Sequence, residues 1–138
     1  MSAPIDVIRD TLAEYAPNYD PMVAEVVMAT IVANKLKGPP VWLMLVAPPS
    51  VGKTIVLEPL EFLPNTALLS KITDKTLISG AHDHNGQPAS LLLQLGNTPT
   101  IVIKDLGILL QTTRMNNTTI FGQFREMYDG HIDARFGT

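Results

Sequence analysis

Three consecutive residues, Gly52, Lys53 and Thr54, close an octapeptide whose residue types and spacing suit the binding of a polyphosphate. The whole stretch is Ala47-Pro48-Pro49-Ser50-Val51-Gly52-Lys53-Thr54. It matches the pattern G-x-x-x-x-G-K-[ST], with Ala47 standing where the first glycine usually does. In such a loop the backbone N–H groups point inward and form a nest for an anion the size of a diphosphate. Lys53 is placed to reach the β- and γ-phosphates, and the Thr54 hydroxyl to supply one ligand of a Mg²⁺ ion bridging them. Gly52 lets the backbone approach the nucleotide closely. The competing reading is a proline-containing turn between a strand and a helix.

A second candidate lies about fifty residues downstream, where the apolar run Thr100-Ile101-Val102-Ile103 leads through Lys104 into Asp105. In a parallel sheet the carboxyl ends of the strands line the ligand crevice, so this carboxylate is expected beside the phosphate loop. There it would hold Mg²⁺, usually through water, opposite Thr54. Its other reading is a cap on the turn or helix that follows the strand. Leu106 follows directly, where many hydrolytic relatives of such proteins carry a glutamate to activate water. Slow hydrolysis, or a base supplied from elsewhere, is the consequence.

The surrounding elements must place these groups. Val41 to Ala47 is apolar throughout and reads as a buried strand running into the loop, and Lys53 to Phe62 as a helix interrupted at Pro59. Upstream, Ile5, Ile8, Leu12 and Tyr15 have helical spacing. A second helix is predicted from Pro21 to Lys37, with Asp20 as N-cap and the face Val23, Val26, Val27, Thr30 and Ile31 packed inward. Downstream, Thr66 to Ser70 reads as a strand, Asp74 to Leu77 as a helical turn, Ala89 to Leu95 as a helix, Gly107 to Thr113 as a connection, and Thr119 to Tyr128 as a helix capped by Asn116 or Asn117. Within the polar stretch Ser79 to Pro88, His82, Asp83 and His84 read as a solvated turn, since two histidines at i and i+2 without further ligands do not make a metal site. His131 to Thr138 reads as the start of a strand or hairpin.

A chain of 138 residues is one domain by length, and the absence of cysteine excludes disulfides and thiolate metal sites and suits a reducing cytoplasmic setting. The formal charge of -3 argues against a generally basic, nucleic-acid-coating surface. No apolar run is long enough to span a bilayer, and the N-terminus lacks a basic-then-apolar signal pattern.

The stretches LPNTALLSKITDKTLISG, TIVIKDLG and FGQFREMYDGHIDARFGT, with the phosphate loop before them, resemble phage and mobile-element P-loop ATPases, AAA-like proteins near the primase-helicase group. The resemblance covers roughly Lys37 to Thr138. It implies an α/β fold, a three-layer P-loop NTPase with a mostly parallel sheet. The expected organisation is an N-terminal helical segment, 1–37, before an ATPase core, 38–138. Residue by residue it implies Lys53 and Thr54 as phosphate and Mg²⁺ contacts and Asp105 as the Walker B acid, with Arg125 and Arg135 facing a neighbouring subunit's nucleotide in a homo-oligomer. Three strands are legible where such a sheet usually has five, which predicts either a piece of a longer protein or strands supplied by a partner.

The expected function is Mg²⁺-dependent ATP binding and hydrolysis, as the motor of a helicase-like, DNA-processing ATPase; the link to DNA comes from the resemblance alone. A nucleotide-binding scaffold or switch with little turnover is the alternative, favoured by Leu106. A small-molecule kinase would use the same loop, but no Arg-rich lid or acceptor pocket is visible. A GTPase is least expected, because no N-K-x-D guanine signature occurs.

Overall fold

The computed structural model of the chain describes residues 3–77, 90–96, 98–111 and 114–130. It forms two compact units, Met1–Pro59, helical among the described residues, and Leu60–Thr138, of mixed helix and strand, and each is built around its own buried side chains. The loop 47–54 lies in the first unit with the N-terminal helices.

Helix α1, Pro4–Tyr15, begins where proline is best tolerated, with Pro4 in the first turn. The Asp6 carboxylate accepts the orphan Ala3 N–H at 3.0 Å. Helix α2, Pro21–Ala33, starts as its sequence predicts: Asp20 Oδ1 accepts the Met22 N–H at 2.9 Å and Pro21 takes the first position. The two helices pack together, joined by Arg9 Nε donating to Glu25 Oε1 at 2.7 Å. Ala24 and Val27 are the buried residues of α2, whereas Val26, expected on the inward face, is exposed.

The helix stops at Ala33 and not at Lys37. Asn34 explains where the chain goes instead. Its side-chain amide accepts the Val41 N–H at 2.6 Å and donates to the Val41 carbonyl at 2.9 Å, so both backbone groups of Val41 are held by one residue. Lys35 and Leu36 close tighter i−3 turns in between, and Gly38, at φ 148°, leads into Pro39-Pro40, which cannot continue a helix.

The predicted strand Val41–Ala47 does not form. No residue of 41–48 joins a sheet, and Trp42, Met44 and Val46 are 53%, 66% and 86% exposed. A continuous apolar run belongs in a parallel sheet only when ladders flank it and helices cover both faces. The one sheet of the described residues lies in the other unit, and 41–47 takes no part in it.

Helix α3, Lys53–Leu57, is short and passes into a 3₁₀ turn over Glu58–Phe62. Pro59 causes the change, because it has no N–H for the Ile55 carbonyl and its ring crowds that oxygen. Val56 and Leu60 are the buried residues of this stretch.

In the second unit, β1, Thr66–Leu69, pairs in parallel with β2, Thr100–Ile103, in the register Thr66↔Thr100 to Leu69↔Ile103. Parallel neighbours need a long crossover, and residues 70–99 supply it. That crossover includes α4, Asp74–Leu77, and α5, Leu91–Leu95. Ser90 joins the two helices: its buried hydroxyl donates to the Leu77 carbonyl at 2.8 Å.

After β2 the expected connection is a helix, α6, Leu106–Gln111, followed by α7, Arg114–Tyr128, which begins before the predicted asparagine caps. Ile120, Phe124 and Met127 follow one face of α7, and the first two join Ile72 and Leu77 in the core, packed by Leu69, Leu91, Leu92, Ile101, Ile103, Leu106 and Met127. Phe121 meets Phe124 edge to face, with centroids 6.1 Å apart. Phe121 and Tyr128, also expected on the apolar side, are exposed, as are Arg125 and Glu126. The turn around His82 to His84 and the segment His131 to Thr138, with Arg135, lie outside the described residues.

Candidate phosphate-binding loop

The loop takes its shape from two left-handed residues. Ser50 has φ 63° and Gly52 φ 83°. Glycine adopts the second at no steric cost, whereas for Ser50 the conformation costs about 1–2 kcal/mol. Strain of this kind persists only where surrounding structure fixes it, and it concentrates at ligand-binding turns.

Gly52 is required for a second reason. A Cβ built there would stand 3.1 Å from Tyr19 Cδ2 and 3.1 Å from Ile55 Cδ1. The Tyr19 ring thus occupies the space beside the loop glycine. Burial pushes the Tyr19 hydroxyl above the ordinary tyrosine range, with the neighbouring Asp20 carboxylate adding to the effect.

Lys53 folds back over the loop. Its Nζ donates to the Ala47 carbonyl at 2.7 Å and the Pro48 carbonyl at 2.9 Å, which brings the first, second and seventh residues of the motif together. Ala47 participates through its backbone oxygen, so the missing glycine leaves this contact intact. The ammonium has the capacity for one further hydrogen bond.

Among the described residues the N–H groups of Ser50, Gly52, Lys53 and Thr54 donate to no protein group, and the first N–H of this segment to be satisfied after Gly52 is that of Ile55, on the Gly52 carbonyl at 2.9 Å. The Thr54 side chain is exposed and its hydroxyl has no partner among the described residues. A loop with a cation, a hydroxyl and several unpaired donors is chemically an anion receptor. Pro49 and Ser50 form its turn, and Val51 is exposed at its tip.

Asp105 belongs to the second unit, directly after β2. Its Oδ1 accepts the Gly107 N–H at 2.8 Å, two residues on, as an Asx turn that opens α6. The capping role offered by the sequence is therefore realised. A carboxylate oxygen retains lone pairs beyond that bond, and Oδ2 is not used in it. Gly107 is matched to this arrangement: a Cβ there would lie 3.0 Å from Asp105 Oδ1.

Among the described residues no group of three or more His, Asp or Glu side chains is gathered as a metal cage. A Mg²⁺ ion bound with a nucleotide needs no such cage, since phosphates and water provide most of its ligands. A hydroxyl such as that of Thr54 and a single carboxylate such as that of Asp105 are oxygen donors of the right kind.

Two residues of this site escape a reading of the sequence alone. Tyr19 sits between two prolines in what looks like a plain break between helices, and Asn34 looks like one of several polar residues ending α2. Nothing in their spacing points to Gly52 or Val41. No protein-family model, curated protein or solved structure matches the chain. Among the described residues no helix is long and apolar enough to cross a membrane.

Proposed function

We propose that the chain binds a nucleoside triphosphate, ATP, through the loop Ala47–Thr54 and hydrolyses it with Mg²⁺, as the motor module of a DNA-processing assembly. The observation that carries the reading is the joint arrangement of Lys53 and the N–H groups of Ser50, Gly52, Lys53 and Thr54, which have no protein acceptor among the described residues. A helix start alone would not include an ammonium tied to the loop's own carbonyls.

On this reading Lys53 draws the β- and γ-phosphates into the loop, and the backbone donors hold their oxygens. Charge-assisted bonds of this sort are roughly twice as strong as neutral ones. Thr54 is the loop residue that would hold Mg²⁺, which when bound neutralises charge developing on the transferred phosphoryl group, and the part of Asp105 as a further Mg²⁺ ligand rests on the resemblance. The parallel pairing of β1 and β2 through a helical crossover supports the three-layer α/β architecture proposed for the complete fold. Action on DNA, a homo-oligomeric state and an arginine contributed by a neighbour are parts of the proposal that rest on the resemblance.

A second reading, a nucleotide-binding switch with little turnover, is favoured by one observation. Asp105 is engaged as the turn that opens α6, and Leu106 follows it in place of a carboxylate. Asp105→Asn separates the two readings, because an amide oxygen preserves the bond from Gly107 but supplies no negative charge for Mg²⁺. The test is Mg²⁺-dependent ATP turnover by the chain, with and without single-stranded DNA. DNA-stimulated turnover that Asp105→Asn abolishes, with the fold unchanged, supports the motor; binding without turnover in either protein supports the switch.

A further inference from the structure

The neighbourhood of Gly52 carries more than a packing contact. Tyr19 Cδ2 and Cε2 lie 3.1 and 3.3 Å, and Ile55 Cδ1 3.1 Å, from the single point where a Cβ on Gly52 would stand. An aromatic edge and an aliphatic tip therefore flank the same spot on the loop. Neither is sunk in a core: Ile55 is 47% exposed and Tyr19 is only half-buried.

The turn that presents Tyr19 is held rigidly from both ends. The Tyr19 N–H donates to the Ala16 carbonyl at 2.8 Å, Asp20 caps α2 through Met22 N, and Pro17 and Pro21 restrict φ on either side. Preorganisation of this kind reduces the ordering cost of binding a ligand against the ring.

We propose that Tyr19 and Ile55 form the wall against which the base of the bound nucleotide packs. The inference rests on the phosphate-loop reading, and it deepens that reading by naming how the rest of the nucleotide is held. A nucleotide whose phosphates engage the N–H groups of Gly52 to Thr54 must carry its sugar and base out along the surface next to them. The wall at Gly52 and Ile55 adjoins those donors directly. Its chemistry is an aromatic ring and a branched alkyl group, which recognise a flat heteroaromatic ring by aromatic contact and burial and not by its hydrogen-bonding edge. The wall thus adds affinity for nucleotides over bare polyphosphates while discriminating weakly among bases.

The experiment is calorimetric titration of the full chain with Mg²⁺-ADP and with Mg²⁺-pyrophosphate, comparing wild type, Tyr19→Ala, Tyr19→Phe and Lys53→Ala. Base stacking predicts that Tyr19→Ala weakens ADP binding by about 10- to 100-fold and leaves pyrophosphate binding unchanged. Tyr19→Phe, which keeps the ring, should retain ADP affinity within a few-fold and controls for misfolding, together with circular dichroism of each variant. Equal losses for ADP and pyrophosphate in Tyr19→Ala would make Tyr19 a prop for the loop and overturn the proposal. Unchanged ADP affinity in Tyr19→Ala would overturn it as well. Failure of the underlying reading looks different: Lys53→Ala would then leave both ligands' binding, or its absence, as in wild type.

Discussion

At the scale of single residues, Gly52 is the position where backbone and packing requirements coincide. Its φ of 83° is costly for any side chain, and a Cβ would meet Tyr19 and Ile55 at 3.1 Å. Gly52→Ala should therefore cost stability of about 1–2 kcal/mol from the backbone alone and distort the loop, seen as a lowered midpoint in urea unfolding together with lost ATP binding. Asn34 makes a different contribution. Its two bonds to Val41 are solvent-accessible, so Asn34→Ala should lower stability by only about 1 kcal/mol, measurable in the same titration. The turn at Gly52 was legible because a glycine before Lys-Thr at this spacing implies a backbone that a side chain would not allow, and Gly52 has φ 83°. The contacts of Tyr19 and Asn34 were not, because they join residues separated by a helix or a turn, and no local pattern encodes such a pairing. Of the two readings of Asp105, its bond to Gly107 shows the capping one.

At the scale of elements, local signals were strongest where a side chain or a proline acts on its own helix. Asp20 and Pro21 start α2 as read, Pro59 interrupts the helix after the loop as read, and β1 and β2 fall where short apolar runs place them. Helix α6 was hidden because Gly107 in its first turn resembles a loop, while the cap that starts it comes from Asp105. The run 41–47 fails as a strand for a non-local reason: strand formation needs a ladder partner, and apolar residues alone do not provide one. Two predictions belong to this scale. Ile120 on α7 is 2% exposed, so Ile120→Ala should destabilise the second unit by about 2–5 kcal/mol in denaturant unfolding. The Arg9–Glu25 pair between α1 and α2 holds the Glu25 carboxyl below its ordinary value of 4.5, chiefly through the hydrogen bond from Arg9. A depressed carboxylate pKa stabilises above the unfolded value and loses that contribution as pH falls through the folded one. The difference in melting temperature between wild type and Glu25→Gln should accordingly be present at neutral pH, begin to fall only below 4.5 and disappear as the pH drops through the lowered folded value, and should shrink with added salt.

At the scale of the whole molecule, the two units divide the candidate chemistry: the first carries the loop, and the second carries Asp105 at the end of a parallel strand. Composition and charge set broad limits on what the chain does, and the residue-level chemistry is carried by each unit separately. The proposal of ATP hydrolysis is therefore tested first at the loop, where it makes its narrowest claim. The decisive measurement is Mg²⁺-ATP binding by isothermal titration calorimetry to the full chain and to Lys53→Ala, each checked for folding by circular dichroism. Saturable binding by wild type that Lys53→Ala weakens at least about tenfold, the loss expected when a charge-assisted bond of roughly 1.5–3 kcal/mol is removed, is the result the account predicts. Equal affinity in the two folded proteins, or no binding by wild type, would contradict it.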